Sequence, residues 1–174
     1  MELINLLNED EVLQIHIRPE CEDEGLCVDF EESIDKNTTI VLKVDDFYNG
    51  LNLAETPASI DCLIIQFCGD NTYKLSLVEL KNVERARLIN PKNLREKFET
   101  TLYDFMSNRF RDYFYNEAFD FKIELILCAG KLQNDNSFRS YKLDFLLGLK
   151  PFRFDGKLIG INGLPPIPII RNCQ

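Results

Sequence analysis

Residues 60–81 read IDCLIIQFCGDNTYKLSLVELK, which is two apolar runs joined by a short polar segment. The runs at residues 60–68 and 73–81 have the length and composition of β-strands. Between them, residues 69–71 (Gly-Asp-Asn) are typical turn formers. The stretch therefore predicts a β-hairpin.

Two carboxylates of this hairpin are predicted to lie side by side. Side chains alternate between the two faces of a strand, so Glu79 and Lys81 share a face with Leu75 and Leu77. If the loop has three residues, Asp61 lies opposite Glu79 with Cβ atoms about 5 Å apart, whereas a four-residue loop puts Asp61 on the other face. Carboxylates this close repel unless a cation or a proton lies between them, and Lys81 alone is too distant to neutralise both. The pattern therefore indicates a divalent metal.

The segments around the hairpin complete an α/β pattern. Residues 38–44 are rich in β-branched side chains and predict a preceding strand. Asn90 and Pro91 supply an N-cap and a first-turn proline for an amphipathic helix through about Phe114, and residues 121–128 predict a further strand. The apolar residues at helical spacing are Leu94, Phe98, Leu102, Phe105 and Met106. We expect an α/β domain with a central mixed β-sheet flanked by helices.

Asp61, followed on the next strand by Glu79-Leu80-Lys81, resembles the Asp and Glu-x-Lys signature of the PD-(D/E)xK nuclease superfamily. In that family, too, a helix and a further strand follow the lysine-bearing strand. The resemblance covers roughly residues 38–130 and implies a restriction-endonuclease-like core, although Ile60 stands where the family has proline. The family's helix-borne glutamate has three candidate counterparts, which are Glu31, Glu32 and Asp46.

The resemblance implies a metal-dependent nuclease that hydrolyses DNA phosphodiester bonds. Asp61 and Glu79 are expected to hold one or two Mg²⁺ (or Mn²⁺) ions, with the backbone carbonyl of Leu80 completing the shell. The metal is expected to activate a bound water, and Lys81 to orient or help deprotonate that water and to offset phosphate charge. The alternative is an edge-strand ion pair between Glu79 and Lys81, with Asp61 capping a turn.

Basic residues are in local excess around the predicted helix, with eight against four acidic ones between Lys81 and Arg111. This excess either guides a phosphate backbone or forms an ordinary solvated helix face. The eight are Lys81, Arg85, Arg87, Lys92, Arg95, Lys97, Arg109 and Arg111.

Charge is divided unevenly along the 174 residues, whose formal net charge is -9. Residues 1–70 hold 3 basic and 17 acidic groups, a balance of -14, and the remaining 17 basic and 12 acidic groups give +5. Residues 20–32 contain seven carboxylates and no basic side chain, which is typical of a solvated loop but also suits metal supply, partner docking or screening of a basic site. The negative charge argues against tight, unselective binding of nucleic acid. A second hypothesis is therefore a non-catalytic interaction module with a degenerate nuclease-like core and an acidic docking face.

The six cysteines are widely spaced and include no CxxC pair. Cys62, Cys68 and Cys128 lie in strand-like runs, where we expect them to pack as small apolar residues. Cys21 and Cys27 flank the acidic stretch and are the better candidates for a metal. The only histidine, His16, is expected to be structural or on the surface, which argues against triad chemistry that needs a histidine base.

We expect a single domain over residues 1–174. Its parts are an acidic region at 1–37 with a helix at 1–7 and a strand at 12–17, a nuclease-like core at about 38–130, and a strand (141–148) with a Pro-rich tail at 131–174. The apolar, proline-containing segment 163–170 either packs along the domain surface or docks on a partner, as in a homodimer.

No apolar run approaches the roughly 20 residues of a membrane helix, and the first residues lack the basic start of a signal peptide. The sequence therefore predicts a cytoplasmic protein without a membrane partner.

Overall fold

The computed structural model describes residues 1–83, 88–129, 150–162 and 169–173. Within these residues, the central element is a mixed sheet of six strands, antiparallel as far as the fourth strand and parallel beyond it. Side by side, they are β1 (Ile17–Arg18), β5 (Thr39–Lys43), β6 (Cys62–Gly69), β7 (Thr72–Lys81), β8 (Asp120–Ala129) and β11 (Ile161–Asn162). The expected α/β class with a central mixed sheet is confirmed.

Shorter strands lie outside the central sheet in three pairs. They are β2 (Glu22–Asp23) with β3 (Leu26–Cys27), β4 (Asp29–Phe30) with β12 (Ile169–Ile170), and β9 (Phe152–Phe154) with β10 (Lys157–Ile159).

The predicted hairpin is formed by β6 and β7, and its register is the predicted one. Cys62 pairs with Val78, so Asp61, directly before β6, lies opposite Glu79. The turn differs in detail, because Asp70 and Asn71 alone form it, with φ angles of 46° and 59° that suit a type I′ turn. An irregularity between Phe67 and Gly69 supplies one extra residue, so the register equals that of a three-residue loop.

The helix predicted from Asn90 begins where expected but changes its winding. The Asn90 side chain accepts hydrogen bonds from the backbone N–H groups of Lys92 and Asn93, at 3.0 and 3.3 Å. A π-helical segment (Thr100–Arg109) follows α3 (Pro91–Glu99), and all five apolar residues of the predicted face are buried. The other helices are α1 (Glu2–Glu9), α2 (Val44–Gly50) and α4 (Arg111–Phe114), with short 3₁₀ turns at Gln14–His16 and Lys36–Thr38.

The prediction of a strand at residues 12–17 is wrong for most of that stretch. The Asp10 carboxylate accepts hydrogen bonds from the backbone N–H groups of Val12 and Leu13, at 2.9 and 2.8 Å. This local cap starts a turn and a 3₁₀ helix, and only Ile17 reaches the sheet.

The two faces of the sheet are covered differently. The four α-helices and the π-helical segment pack on one face in a core that includes Leu75, Leu77 and Phe98. On the other face, the acidic N-terminal region packs through Cys21 and Val28. The acidic segment is therefore anchored to the sheet by two buried side chains, while most of its carboxylates are exposed to solvent, as expected.

Two disulfides correct the expectation that the strand cysteines act as simple apolar residues. Cys21 is bonded to Cys62 and Cys68 to Cys173, with Cα atoms 5.9 and 5.4 Å apart. The partners are 41 and 105 residues apart in sequence, so only the tertiary fold brings them together. The prediction of a metal ligand at Cys21 is also wrong, because its sulfur is in a disulfide. Cys128, in contrast, is a buried thiol, as expected.

The described end of the tail packs in cis. Ile169 and Ile170 pair in parallel with Asp29 and Phe30, and Ile170 is buried. The strand predicted at 141–148 and the prolines at 165, 166 and 168 lie outside the described residues. Among the described helices, none has the length and apolar character needed to cross a bilayer.

Candidate functional site

Asp61, Glu79 and Lys81 meet at one end of the central sheet, between the β6–β7 hairpin and α3. Asp61 is 3% exposed and Glu79 is completely buried. Lys81 follows Glu79 on the same face of β7, and its side chain is 25% exposed. The three residues that the sequence singled out are therefore neighbours in a nearly closed site.

Backbone contacts hold Asp61 in place from both sides. The carbonyl of Asp61 accepts a 3.3 Å hydrogen bond from the N–H of Val44, at the start of α2. The preceding N–H, that of Ile60, donates to the hydroxyl of Thr101 on the π-helical segment at 3.5 Å. The carboxylate itself accepts a 2.6 Å hydrogen bond from the N–H of Leu80. Asp61 thus binds the strand opposite it and does not cap a turn.

Glu79 is paired with two lysines. Its Oε1 atom lies 2.7 Å from Nζ of Lys81 and 2.8 Å from Nζ of Lys97. Lys97 also donates a 3.0 Å hydrogen bond to Oε2 of Glu79 and lies 3.7 Å from Oδ1 of Asp61. The ammonium group of Lys97 therefore lies against both carboxylates.

Lys97 corrects the sequence-based account of charge balance. The cation required between Asp61 and Glu79 is supplied by a side chain of α3 and does not have to be a metal. Helical spacing in the sequence could have indicated this role. Lys97 lies three residues after the buried Leu94 and four before the buried Thr101, on the inward face of the helix. The eight basic residues between Lys81 and Arg111 include Lys97, but their number alone does not distinguish a buried lysine from the exposed ones.

Burial dominates the electrostatics of the site. It raises the pKa of Asp61 to about 7, and the nearby Glu79 carboxylate adds to the rise, while Lys97 and the Leu80 N–H oppose it. For Lys81, burial lowers the pKa, but the carboxylates of Glu79, Asp61 and Glu24 together outweigh burial and the net pKa is raised. Lys81 thus remains an ammonium at neutral pH.

None of the three candidates for a further acidic ligand, Glu31, Glu32 and Asp46, forms a hydrogen bond or an ion pair with the described residues of this site. Asp46 forms a 2.9 Å ion pair with Arg18. Glu31 accepts a 2.8 Å hydrogen bond from the N–H of Asn172, and Glu32 is exposed. From residues 1–37, the charge of Asp23 adds a small contribution to the raised pKa of Asp61.

Most of the basic residues counted between Lys81 and Arg111 form ion pairs or ring contacts on the surface of the helical segment. Lys92 pairs with Glu96 and Arg95 with Glu99, each one helical turn apart. Arg109 pairs with Asp104, and Arg111 lies over the ring of Tyr115. The positions of Arg85 and Arg87 are outside the described residues. Apart from Lys81 and Lys97, the described members fit an ordinary helix face.

The donor set suits a hard divalent cation. Mg²⁺ typically binds through one or two carboxylates, keeps several waters and takes further oxygens from a phosphate. Asp61 and Glu79 supply two carboxylates at one point, although no three His, Cys, Asp or Glu side chains of the described residues are grouped for one metal ion. The residues fit Mg²⁺ as a two-carboxylate site from which Lys97 has to withdraw.

Comparison of the chain with protein-family models, curated proteins and solved structures gives no match.

Proposed function

We propose that the protein is a metal-dependent nuclease that hydrolyses DNA phosphodiester bonds, built on a restriction-endonuclease-like core. The observation that supports this most is the register of β6 and β7, which sets Asp61 opposite Glu79 with Lys81 on the same face. Two carboxylates and a lysine in this arrangement suit water activation at a phosphate.

Each side chain has a distinct task in this proposal. Asp61 and Glu79, with the backbone carbonyl of Leu80, hold Mg²⁺ or Mn²⁺. The metal supplies a bound water of lowered pKa and stabilises negative charge on the phosphate. Lys81 orients the attacking water, and Lys97 leaves the carboxylates to compensate the charge of the phosphate.

The test is cleavage of labelled single-stranded, duplex and branched DNA in Mg²⁺ and in Mn²⁺. We expect cleavage by the wild type and its loss in Asp61→Asn and Lys81→Met, each shown to be folded by circular dichroism. Asp120→Asn is the matched control, since Asp120 is an exposed residue of β8. Cleavage that persists unchanged in both site variants, or that is absent from all proteins on every DNA, contradicts the proposal.

A second candidate function has its own support. The two buried carboxylates are already paired with two lysines, so their charge is balanced without metal. This favours a non-catalytic interaction module in which the core is degenerate and the acidic N-terminal region docks a basic partner.

Mn²⁺ binding separates the two candidates. A nuclease site binds Mn²⁺ and loses it in Asp61→Asn, which calorimetry measures directly. A non-catalytic interaction module is expected to give the same small heat of Mn²⁺ binding for the wild type, Asp61→Asn and Asp120→Asn.

A further inference from the structure

A cavity lies at the end of β6 far from the candidate site, and the Cys68–Cys173 disulfide forms part of its wall. Its volume of about 380 Å³ is within the range of small-molecule sites, which is about 300–1,000 Å³. Cys68 and Cys173 are partly exposed, whereas Cys21 and Cys62 are completely buried. Of the two described disulfides, Cys68–Cys173 is therefore the one that a solute can reach.

Positive charge is concentrated around this disulfide. Lys74 of β7 and Lys122 of β8 are register partners on adjacent strands, so their side chains project from the same face of the sheet. Arg171, in the segment after β12, adds a third cation, and Glu124 is the one carboxylate in the described lining of the cavity. Like charges so close together repel each other. An anion in the cavity would therefore be stabilised, although the chain as a whole has a formal net charge of -9.

The carboxylate of Glu124 is engaged within the sheet. Its Oε1 atom lies 2.9 Å from Nζ of Lys74 and accepts a 2.5 Å hydrogen bond from the hydroxyl of Ser76. The side chain of Lys74 is only 18% exposed, whereas Lys122 and Arg171 are exposed residues. Lys122 and Arg171 are therefore the cations that a solute in the cavity meets first.

The chain around Cys173 is held by contacts other than the disulfide. The preceding strand, β12, pairs with β4. The N–H of Asn172 donates a 2.8 Å hydrogen bond to the carboxylate of Glu31, and the side-chain oxygen of Asn172 accepts a 3.4 Å hydrogen bond from the amide of Gln66. We therefore expect the wall of the cavity to persist, with Cys68 and Cys173 close together, when the disulfide is opened.

These features suit thiol–disulfide exchange with a thiol that carries negative charge. In exchange, a thiolate attacks one sulfur of the disulfide and the other sulfur leaves as a thiolate. Adjacent cations attract the carboxylates of the incoming thiol and stabilise the thiolate that leaves. Because the whole chain is acidic, its long-range field repels such a solute, so a preference for it has to arise locally, at Lys122 and Arg171.

We propose that this cavity binds an anionic low-molecular-weight thiol through Lys122 and Arg171, and that the bound thiol exchanges with the Cys68–Cys173 disulfide. The thiolate of the ligand attacks one cysteine sulfur, the bond between the two cysteines breaks, and a mixed disulfide forms. The other cysteine leaves as a thiolate and takes a proton from water. The attacking sulfur is oxidised and the leaving sulfur is reduced, so no further oxidant or reductant is needed. This inference is independent of the proposed nuclease function, because the cavity and Asp61 lie at opposite ends of β6.

The experiment measures exchange at Cys68–Cys173 with three small thiols of different charge. They are glutathione, which is anionic at neutral pH, 2-mercaptoethanol, which is neutral, and cysteamine, which is cationic. Reactions are stopped with N-ethylmaleimide, and mass spectrometry identifies the released cysteines. Each rate is divided by that of the same thiol with the disulfide of 2-mercaptoethanol, which removes differences in intrinsic reactivity. We expect the corrected rate of glutathione to exceed that of 2-mercaptoethanol several-fold, and cysteamine to be the slowest.

The double variant Lys122→Gln/Arg171→Gln is expected to lose this preference for glutathione. Lys36→Gln/Lys92→Gln is the matched control, because it removes two exposed positive charges that do not line the cavity. S-methylglutathione, which has no thiol, should compete for the cavity and slow exchange with glutathione in the wild type. This second measurement needs no variant, and near-ultraviolet circular dichroism shows whether each variant keeps its folded core.

Three results would overturn the proposal. The first is a corrected rate of glutathione that does not exceed that of 2-mercaptoethanol in the wild type, or a preference that survives in Lys122→Gln/Arg171→Gln. The second is a wild-type rate that does not change with S-methylglutathione. The third is release of Cys21 and Cys62 as fast as that of Cys68 and Cys173, because exchange would then follow unfolding rather than access to the cavity.

Discussion

Asp61 has the most perturbed environment among the acidic residues of the candidate site. Its carboxylate is buried beside Glu79 and is compensated by the Leu80 N–H and, at 3.7 Å, by Lys97. Because burial outweighs this compensation, the folded state binds a proton at Asp61 more tightly than the unfolded chain does. At the scale of one residue, the site therefore couples protonation to stability.

This coupling predicts a pH-dependent free energy of unfolding. The pKa of Asp61 is about 7 in the folded state and about 3.9 in the unfolded chain. Between these values the folded state carries the extra proton, so stability falls as pH rises, by at most about 1.4 kcal/mol per pH unit from this group. Asp61→Asn should flatten the profile in urea titrations from about pH 4 to pH 7. The same slope in Asp61→Asn and in the Asp120→Asn control would refute this assignment.

Removal of Lys97 tests the charge balance. Lys97→Met leaves two buried carboxylates with Lys81 alone, which we expect to lower the free energy of unfolding by about 3–5 kcal/mol. Lys92→Met, on the exposed face of the same helix, is the matched control and should change stability by less than about 0.5 kcal/mol.

The same variant reports on metal binding. If the carboxylates accept a divalent cation, Mn²⁺ should raise the Tm of Lys97→Met more than that of the wild type, because the competing ammonium is gone. The measurement is thermal unfolding with and without Mn²⁺. A Tm of Lys97→Met that does not respond to Mn²⁺ speaks against a metal site.

At the scale of elements, α3 carries Lys97 into the site, and its start depends on a local cap. The Asn90 side chain binds two of the N–H groups that the first turn leaves without a helical partner. The π-helical segment that follows places Thr101 against the N–H of Ile60, next to Asp61. The position of this helical segment and that of Asp61 are thus linked.

Asn90→Ala should weaken this element. We expect the free energy of unfolding to fall by about 1 kcal/mol, since alanine offers no acceptor to the first turn. Asn90→Asp retains the acceptor and is the matched control. Urea denaturation of both variants measures the difference, and an equal loss in Asn90→Asp would assign the effect to something other than capping.

At the scale of the whole molecule, the two disulfides join regions that are distant in sequence. Cys68–Cys173 connects the end of β6 to the segment after β12, and Cys21–Cys62 connects the acidic N-terminal region to the start of β6. Disulfides are typical of oxidising compartments. The cytoplasmic location expected from the sequence stays a prediction.

Cys173→Ser should lower global stability under oxidising conditions. A cross-link between residues 105 positions apart removes many conformations from the unfolded chain, and its loss typically costs about 2–4 kcal/mol. Guanidinium denaturation without reductant measures the effect. Under dithiothreitol the variant and the wild type should unfold nearly alike, and a difference that persists there would contradict the cross-link as its cause.

Much of the fold followed from patterns of neighbouring residues. The β6–β7 hairpin, its register, the capped start of α3 and strand β8 all depend on side-chain alternation, turn chemistry and helical spacing, which act over a few residues. Asp61, Glu79 and Lys81 were found for the same reason, because a strand register converts sequence spacing directly into distance.

The remaining features required contacts between segments that no local pattern relates. Lys97 reaches both carboxylates only because α3 packs on the sheet, and the acidic N-terminal region is fastened to the opposite face of the sheet only because Cys21 meets Cys62. Helical spacing places Lys97 on the inward face of α3 but does not show which residues it meets, and disulfides carry no periodic signal, since six cysteines offer alternative partners. The sequence alone thus determined the grouping of Asp61, Glu79 and Lys81, because a strand register acts between near neighbours, and packing of the chain determined that Lys97 balances their charge, because that contact joins separate elements.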